Sequence, residues 1–291
     1  MNIIFQVDGG LGKSIASTAV ISAINKRYPK SNIIVLTAYP DVFLNNPKVF
    51  KVINLNGASS LYETYIKDKK CKVFAGEPYR QNSFFLNEES LLETWCRLCG
   101  VKYNGETPEF YISSVEKEYF TPTYQTEKPL FVIHTNGGPE GQQYNYSWAR
   151  DIPTPTVNNI INHYKDSYTI VQIRRSDQLQ YENCLSALDG YRSIAIMLSM
   201  SKKRLLIDSF SQHLAAALNL PSVVCWSTTS PKVFGHKMHT NIQSNPFTKQ
   251  PIYNSNSFYQ PFALYEDIHS VPYNNLNEIF NDEEIIKSLG A

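Results

Sequence analysis

The sequence predicts an α/β protein made of two doubly wound parallel-sheet domains facing each other across a cleft. Three observations lead there. Apolar runs of strand type alternate with helical patterns from the first residues onward. The alternation breaks once, in the polar stretch "YISSVEKEYFTPTYQTEKP" (111–129) with its two prolines, and then restarts. The length, 291 residues, suits two units of about 130–150 residues, each able to bury a core. The expected domains are residues 1–122 and 123–291.

Each element has its own reason. "NIIFQV" (2–7) is continuously apolar enough for a buried strand. "KSIASTAVISAINKRY" (13–28) brings Ile15, Ala19, Ile21 and Ile24 near one another on a helix. "SNIIVLTA" (31–38) and "KVFKVINL" (48–55) are further strands. "NEESLLETWCRLCG" (87–100) is a helix with acidic residues in its first turn and Gly100 at its stop. After the break, "PLFVIHTNGG" (129–138) is a strand running into glycines. Helix "TPTVNNIINHYKD" (154–166), strand "YTIVQIR" (168–174) and helix "GYRSIAIMLSMSK" (190–202) follow. "RLLID" (204–208), "SFSQHLAAALNL" (209–220) and "PSVVCWS" (221–227) make strand, helix, strand. "NLNEIFNDEEIIKSLG" (275–290) reads as a terminal helix. Ligands of such sheets gather at the carboxyl ends of the strands, so the cleft between domains is the expected site.

Bulk properties narrow the function. The net charge is +1 and neither half is strongly basic, which argues against a broadly basic nucleic-acid-binding body but leaves room for a local patch. No apolar run approaches the roughly 18 residues of a spanning helix. The start, "MNIIFQVDGG", lacks the basic and apolar regions of a signal peptide, so a cytoplasmic protein is expected. Five cysteines (Cys71, Cys96, Cys99, Cys184, Cys225) are odd in number and irregularly spaced, which does not suggest a disulfide framework. Cys96 and Cys99 have CxxC spacing but fall on a predicted helix with no second pair, so no metal site is expected there. "KDKKCK" (67–72) reads as a solvated turn, or else as a patch for phosphate-rich partners.

"QVDGGLGKSIAS" (6–17) poses the main question. Gly12, Lys13 and Ser14 match the end of the phosphate-loop pattern G-x-x-x-x-G-K-[ST], but Val7 stands where its first glycine belongs. An ATP- or GTP-dependent P-loop protein is therefore one reading. A bare glycine turn that lets a strand enter a helix closely is a second. A third fits better: backbone N–H groups and a helix N-terminus face a cleft and stabilise an anion there.

A resemblance favours the third. "LLIDSFSQHLAAALNLPSVVCWSTTSP" (205–231) resembles the signature of heptosyltransferase-like glycosyltransferases (glycosyltransferase family nine), through Asp208, Ser209, His213, Leu214, Ala215, Ala216, Ala217 and Leu218. "GLGKSIASTAVISAINKRYPKSNIIVLT" is similar to that family's first βα unit. "VIHTNGGPEGQQYNYSWARDIP" is similar to the strand and glycine loop that open its second domain, and "LDGYRSIAIMLSMSKKRLLID" to the approach to the signature. The resemblance implies two Rossmann-like domains (the GT-B architecture), the sugar nucleotide on the second and the acceptor on the first. It also implies inverting, metal-independent transfer with no cofactor beyond the nucleotide-diphosphate sugar. The implied donor-binding residues are Gly12, Lys13, Thr135, Gly137, Trp148, Arg150, Asp208, Ser209 and His213.

Two departures matter. Phe210 replaces the signature glycine, and Lys13 replaces the aspartate that is the family's proposed general base. A charged lysine is a poor base, so the nearest carboxylate, Asp8, becomes the candidate catalytic residue. Each residue also has a plainer reading. Asp8 could serve only its own glycine turn, Asp208 could cap a helix, Arg150 could lie on the surface, and His213 could be structural. The acceptor implied is a bacterial surface glycan. The bias towards Asn, Tyr, Ile and Lys is typical of AT-rich coding sequence, including many phages, and a phage enzyme could instead modify a hydroxymethylated DNA base. Loss of the family aspartate also leaves open a non-catalytic nucleotide-sugar binding module.

Overall fold

The computed structural model describes residues 1–137, 149–252 and 270–290. Strands β1 (Asn2–Val7), β2 (Asn32–Thr37), β3 (Lys51–Asn54) and β4 (Cys71–Phe74) form a parallel sheet in the order β3-β2-β1-β4. A second parallel sheet has the order β10-β9-β8-β5-β6-β7. Its strands are β5 (Leu130–Ile133), β6 (Thr169–Ile173), β7 (Cys184–Ala187), β8 (Lys203–Ile207), β9 (Val223–Trp226) and β10 (Thr240–Gln243). Strand order reverses between β1 and β4 in the first sheet and between β5 and β8 in the second. Crevices that bind ligands open at such reversals, beyond the carboxyl ends of the strands.

The helices are α1 (Leu11–Arg27), α2 (Asn82–Phe85), α3 (Leu91–Leu98), α4 (Ser114–Phe120), α5 (Thr154–Tyr164), α6 (Tyr191–Met200), α7 (Phe210–Ala217), α8 (Pro231–Phe234) and α9 (Asp282–Leu289). Helix α1 is buried from Lys13 to Ile24, not along a single stripe. The reason is its place: it packs against α3 in its own domain and against α7 in the other. Its hydroxyls are satisfied within the helix. Ser17 donates to Ser14 O at 2.7 Å and Thr18 to Ile15 O at 2.6 Å. One apolar core runs through this contact, joining Phe5, Ile15 and Trp95 to Leu206, Leu214 and Trp226. A second core lies under α5 and α9, around Phe131, Tyr164, Ile207 and Ile285.

The connecting stretch carries more structure than its polar sequence predicts. Within 111–129, α4 opens with a capping box between Ser113 and Glu116. Arg192 of α6 grips it: its guanidinium bonds Glu116 and donates to Asp41 O and Tyr111 O, both at 2.7 Å. The terminal helix is shorter than predicted, because Asn281 accepts from the Glu283 and Glu284 N–H groups and caps α9 there. The predicted turn at 67–72 also needs correction, since Cys71 and Lys72 begin β4 and pair beside β1. Among the described residues, no helix is long and apolar enough to cross a membrane.

Candidate active site

The two helices that follow the glycine turn and the Asp208 strand meet at their N-terminal ends. Gly9 (φ +99°) takes a backbone conformation that L side chains rarely adopt, turning the chain off β1. Gly12 then allows the close approach of α1 to α7: a Cβ there would lie 3.1 Å from His213 Cδ2 and 3.2 Å from Phe210 Cα. Gly10 and Ser209 occupy the N-cap positions of α1 and α7, and neither helix has a side-chain cap. Uncapped helix N-termini carry unsatisfied N–H groups and partial positive charge.

A cavity of about 560 Å³ opens at this point. One wall is the turn from Gly9 to Lys13 with Tyr39, Glu77 and Tyr79; the other is Arg150, Asp208, Ser209, Phe210, His213 and Phe234. Six of the residues put forward from sequence therefore meet here: Gly12, Lys13, Arg150, Asp208, Ser209 and His213.

Their side chains are not all disposed as expected. Asp208 is 9% exposed at the end of β8, and its Oδ2 accepts from Thr229 Oγ1 at 2.6 Å. His213 is buried, with its Nδ1 2.9 Å from His236 Nε2. Burial and the neighbouring imidazoles His236 and His239 hold its pKa well below the ordinary value. It is therefore neutral at pH 7, and any contribution to a phosphate is as a hydrogen-bond partner, not a cation. Lys13 is already paired within the first-domain wall. Its ammonium lies 2.6 Å from Glu77 Oε2 and 2.8 Å from Oε1, over the Tyr79 ring at 4.7 Å and the Trp95 ring at 5.3 Å. The side chain is 4% exposed. A phosphate-loop lysine must reach a phosphate; this one is held by a carboxylate.

Asp8 is exposed at the end of β1 and does not line the cavity. Both its oxygens accept from Gln6 Nε2 at 3.0 Å. Thr135, fully buried at the end of β5, donates to Asn136 Oδ1 at 2.9 Å and does not line the cavity either. Gly137 backs the site: its N–H donates to Asp151 Oδ1 at 2.8 Å, and a Cβ there would sit 3.8 Å from Arg150 Cδ. Trp148 lies outside the described residues.

Two residues that sequence reasoning missed stand on the first-domain wall. Glu77 and Tyr79 follow β4, at the first sheet's reversal of strand order. Tyr79 is half-buried, and its desolvation, with the charges of Asp208 and Glu77, raises its phenol pKa; Arg150 acts in the opposite sense. The phenol thus stays protonated between carboxylates of the two walls. No sequence pattern marks "GEPYR" (76–80), whose partner Lys13 is 64 residues away. Cys96 and Cys99 are buried, and burial pushes both thiols up to about 12, which keeps them protonated. Among the described residues, no group of three or more His, Cys, Asp or Glu is arranged to hold a metal ion.

No family model matches the sequence, and no curated protein matches it. Solved structures do. A family 9 glycosyl transferase from Veillonella parvula superposes with a TM-score of 0.69 at 12% identity, covering 99% of this chain and 95% of that one. The ADP-heptose LPS heptosyltransferase II of E. coli gives 0.60 at 17% identity, covering 85% and 91%. TibC, an iron-containing dodecameric glycosyltransferase from enterotoxigenic E. coli H10407, gives 0.63 at 12% identity, covering 98% and 71%. These similarities bear out the fold expected from the signature around Asp208: the chain has the two-domain GT-B fold of the heptosyltransferase-like glycosyltransferases.

Proposed function

We propose that this protein transfers a sugar from a nucleotide-diphosphate sugar to an acceptor hydroxyl, with inversion and without help from a metal ion. One observation carries the reading. The uncapped N-terminus of α7, Arg150 and Asp208 converge on one wall of an interdomain cavity. Breaking a glycosidic bond to a diphosphate builds negative charge on the leaving group and positive charge on the sugar. The α7 amides and the Arg150 guanidinium suit the first. The Asp208 carboxylate suits hydroxyls of the donor sugar, with Thr229 fixing one of its oxygens. Ser209 and His213 complete the phosphate side as neutral hydrogen-bonding groups, with Gly137 behind Arg150. Gly12 serves by letting α1 and α7 meet, and Lys13 by holding Glu77.

The acceptor enters from the first-domain wall in this reading. A glycan acceptor is favoured, because one structural neighbour is a heptosyltransferase of LPS and a net charge of +1 offers no basic body for DNA. The test is a screen of ADP-, UDP- and GDP-sugars for nucleotide release, with and without EDTA. Mass spectrometry would follow, using bacterial core glycans and hydroxymethylcytosine-containing DNA as acceptors. The reading predicts release that survives EDTA and a sugar added to a glycan. Binding without turnover would make the protein a nucleotide-sugar binding module. Magnesium-dependent ATP or GTP hydrolysis abolished by K13A would support the P-loop reading instead.

A further inference from the structure

We infer that Glu77 is the general base of this site, oriented by Lys13; the inference rests on the glycosyl-transfer reading. Inverting displacement places the entering oxygen and the leaving diphosphate on opposite faces of the anomeric carbon. The base therefore belongs on the wall facing α7 and Arg150. Among the described residues, the carboxylates lining the cavity are Asp208 and Glu77. Asp208 stands on the leaving-group wall, at the start of α7. Glu77 stands across from it, at the carboxyl end of β4.

Its hydrogen bonds fit the role. Both oxygens accept from Lys13 Nζ, and Oε1 also accepts from Tyr79 N at 3.2 Å. A carboxylate has about four acceptor positions, so Oε2 keeps capacity for a hydroxyl. The Glu77 side chain is 27% exposed, while Lys13, at 4%, is enclosed between it and the Tyr79 and Trp95 rings. Lysine thus anchors the carboxylate from behind and leaves it open to the cavity. Asp8 has no comparable position: it lies off the cavity beside Gln6. In the step, the acceptor oxygen bonds to the anomeric carbon as its proton passes to Glu77. The bond from that carbon to the diphosphate oxygen breaks, and the electron pair departs with the nucleoside diphosphate. Glu77 then returns the proton to water.

E77Q keeps the size and can still accept from Lys13 and Tyr79 N. Its nucleotide release from the nucleotide sugar that the wild type turns over fastest is expected to fall about 10²–10⁴-fold. Calorimetric affinity for the nucleoside diphosphate of that sugar nucleotide should stay at the wild-type value, the melting temperature should fall because the enclosed Lys13 ammonium loses its counter-charge, and D8N should keep its turnover. E77A should regain turnover with added formate, which a purely structural role would not allow. Wild-type turnover in E77Q, lost binding of that nucleoside diphosphate in the folded variant, or no formate rescue of folded E77A would each overturn the inference. A wild-type chain inactive on every nucleotide sugar would overturn the glycosyl-transfer reading itself, and the inference with it.

Discussion

Replacing Gly12 with valine tests whether the two domains are held at the distance the cavity needs. A Cβ at this position would lie 3.1 Å from His213 Cδ2, 3.2 Å from Phe210 Cα and 3.4 Å from Phe210 N. Carbon atoms pack best at about 3.5–4.0 Å, so α7 would have to retreat by a few tenths of an ångström. Two of the three contacts are backbone, which cannot turn aside as a side-chain tip can. In G12A, overpacking is offset by up to about 1 kcal/mol of helix propensity gained over glycine, leaving a small net change. Valine pushes two more carbons into the same gap, and overpacking of this kind costs about 1–3 kcal/mol. Urea unfolding should register that loss in G12V. Calorimetric titration with the nucleoside diphosphate of the sugar nucleotide that the wild type turns over should show weaker binding, because α7 carries amides proposed to hold the diphosphate. A G12V protein as stable as wild type, with unchanged affinity for that nucleoside diphosphate, would refute the tight α1–α7 contact as the reason for this glycine.

Three other outcomes are expected. R192A removes charge-assisted bonds joining α6 to α4 and to the first domain, at a cost of about 1.5–3 kcal/mol in urea unfolding. Arg192 holds the Glu116 carboxyl down to about 2, so this stabilisation is present above the ordinary value of 4.5 and is lost as pH falls from there towards 2; R192A should lose less stability over that window. Burial holds His236 down to about 3 from 6.5, and the folded state therefore loses stability as pH falls through that interval; H236N should flatten the decline in a pH series of melting temperatures. D208A should weaken binding of the nucleotide sugar much more than binding of its nucleoside diphosphate in paired titrations, because its carboxylate is assigned to sugar hydroxyls; equal weakening of both would move Asp208 to the phosphates.

The central strands were legible because parallel strands covered on both faces need continuous apolar runs, as in "NIIFQV" and "RLLI". The short strands β4, β7 and β10 were not. Each lies at the edge of its sheet and reads "CKVF", "CLSA" or "TNIQ", with exposed positions that break the run. Helix α4 escaped notice for a related reason: it has no buried residue, and Arg192 helps hold it in place from a distant helix. At the site, the second-domain wall followed from a local signature around Asp208. On the first-domain wall the glycine turn was legible too, but its pairing with Glu77 was not, because Glu77 and Lys13 come together only when β1 and β4 pair. A glycine-rich turn followed by lysine and serine looks the same in sequence whether the lysine meets a phosphate or a glutamate.

The most direct test is a crystal structure of the protein soaked with the nucleotide sugar that it turns over. The glycosyl-transfer account places the diphosphate within hydrogen-bond distance of the α7 N-terminal amides and the Arg150 guanidinium. It places the sugar beside Asp208, with Lys13 still paired to Glu77. A nucleotide bound instead along Gly9–Ser14, with Lys13 swung from Glu77 onto its phosphates, would contradict it.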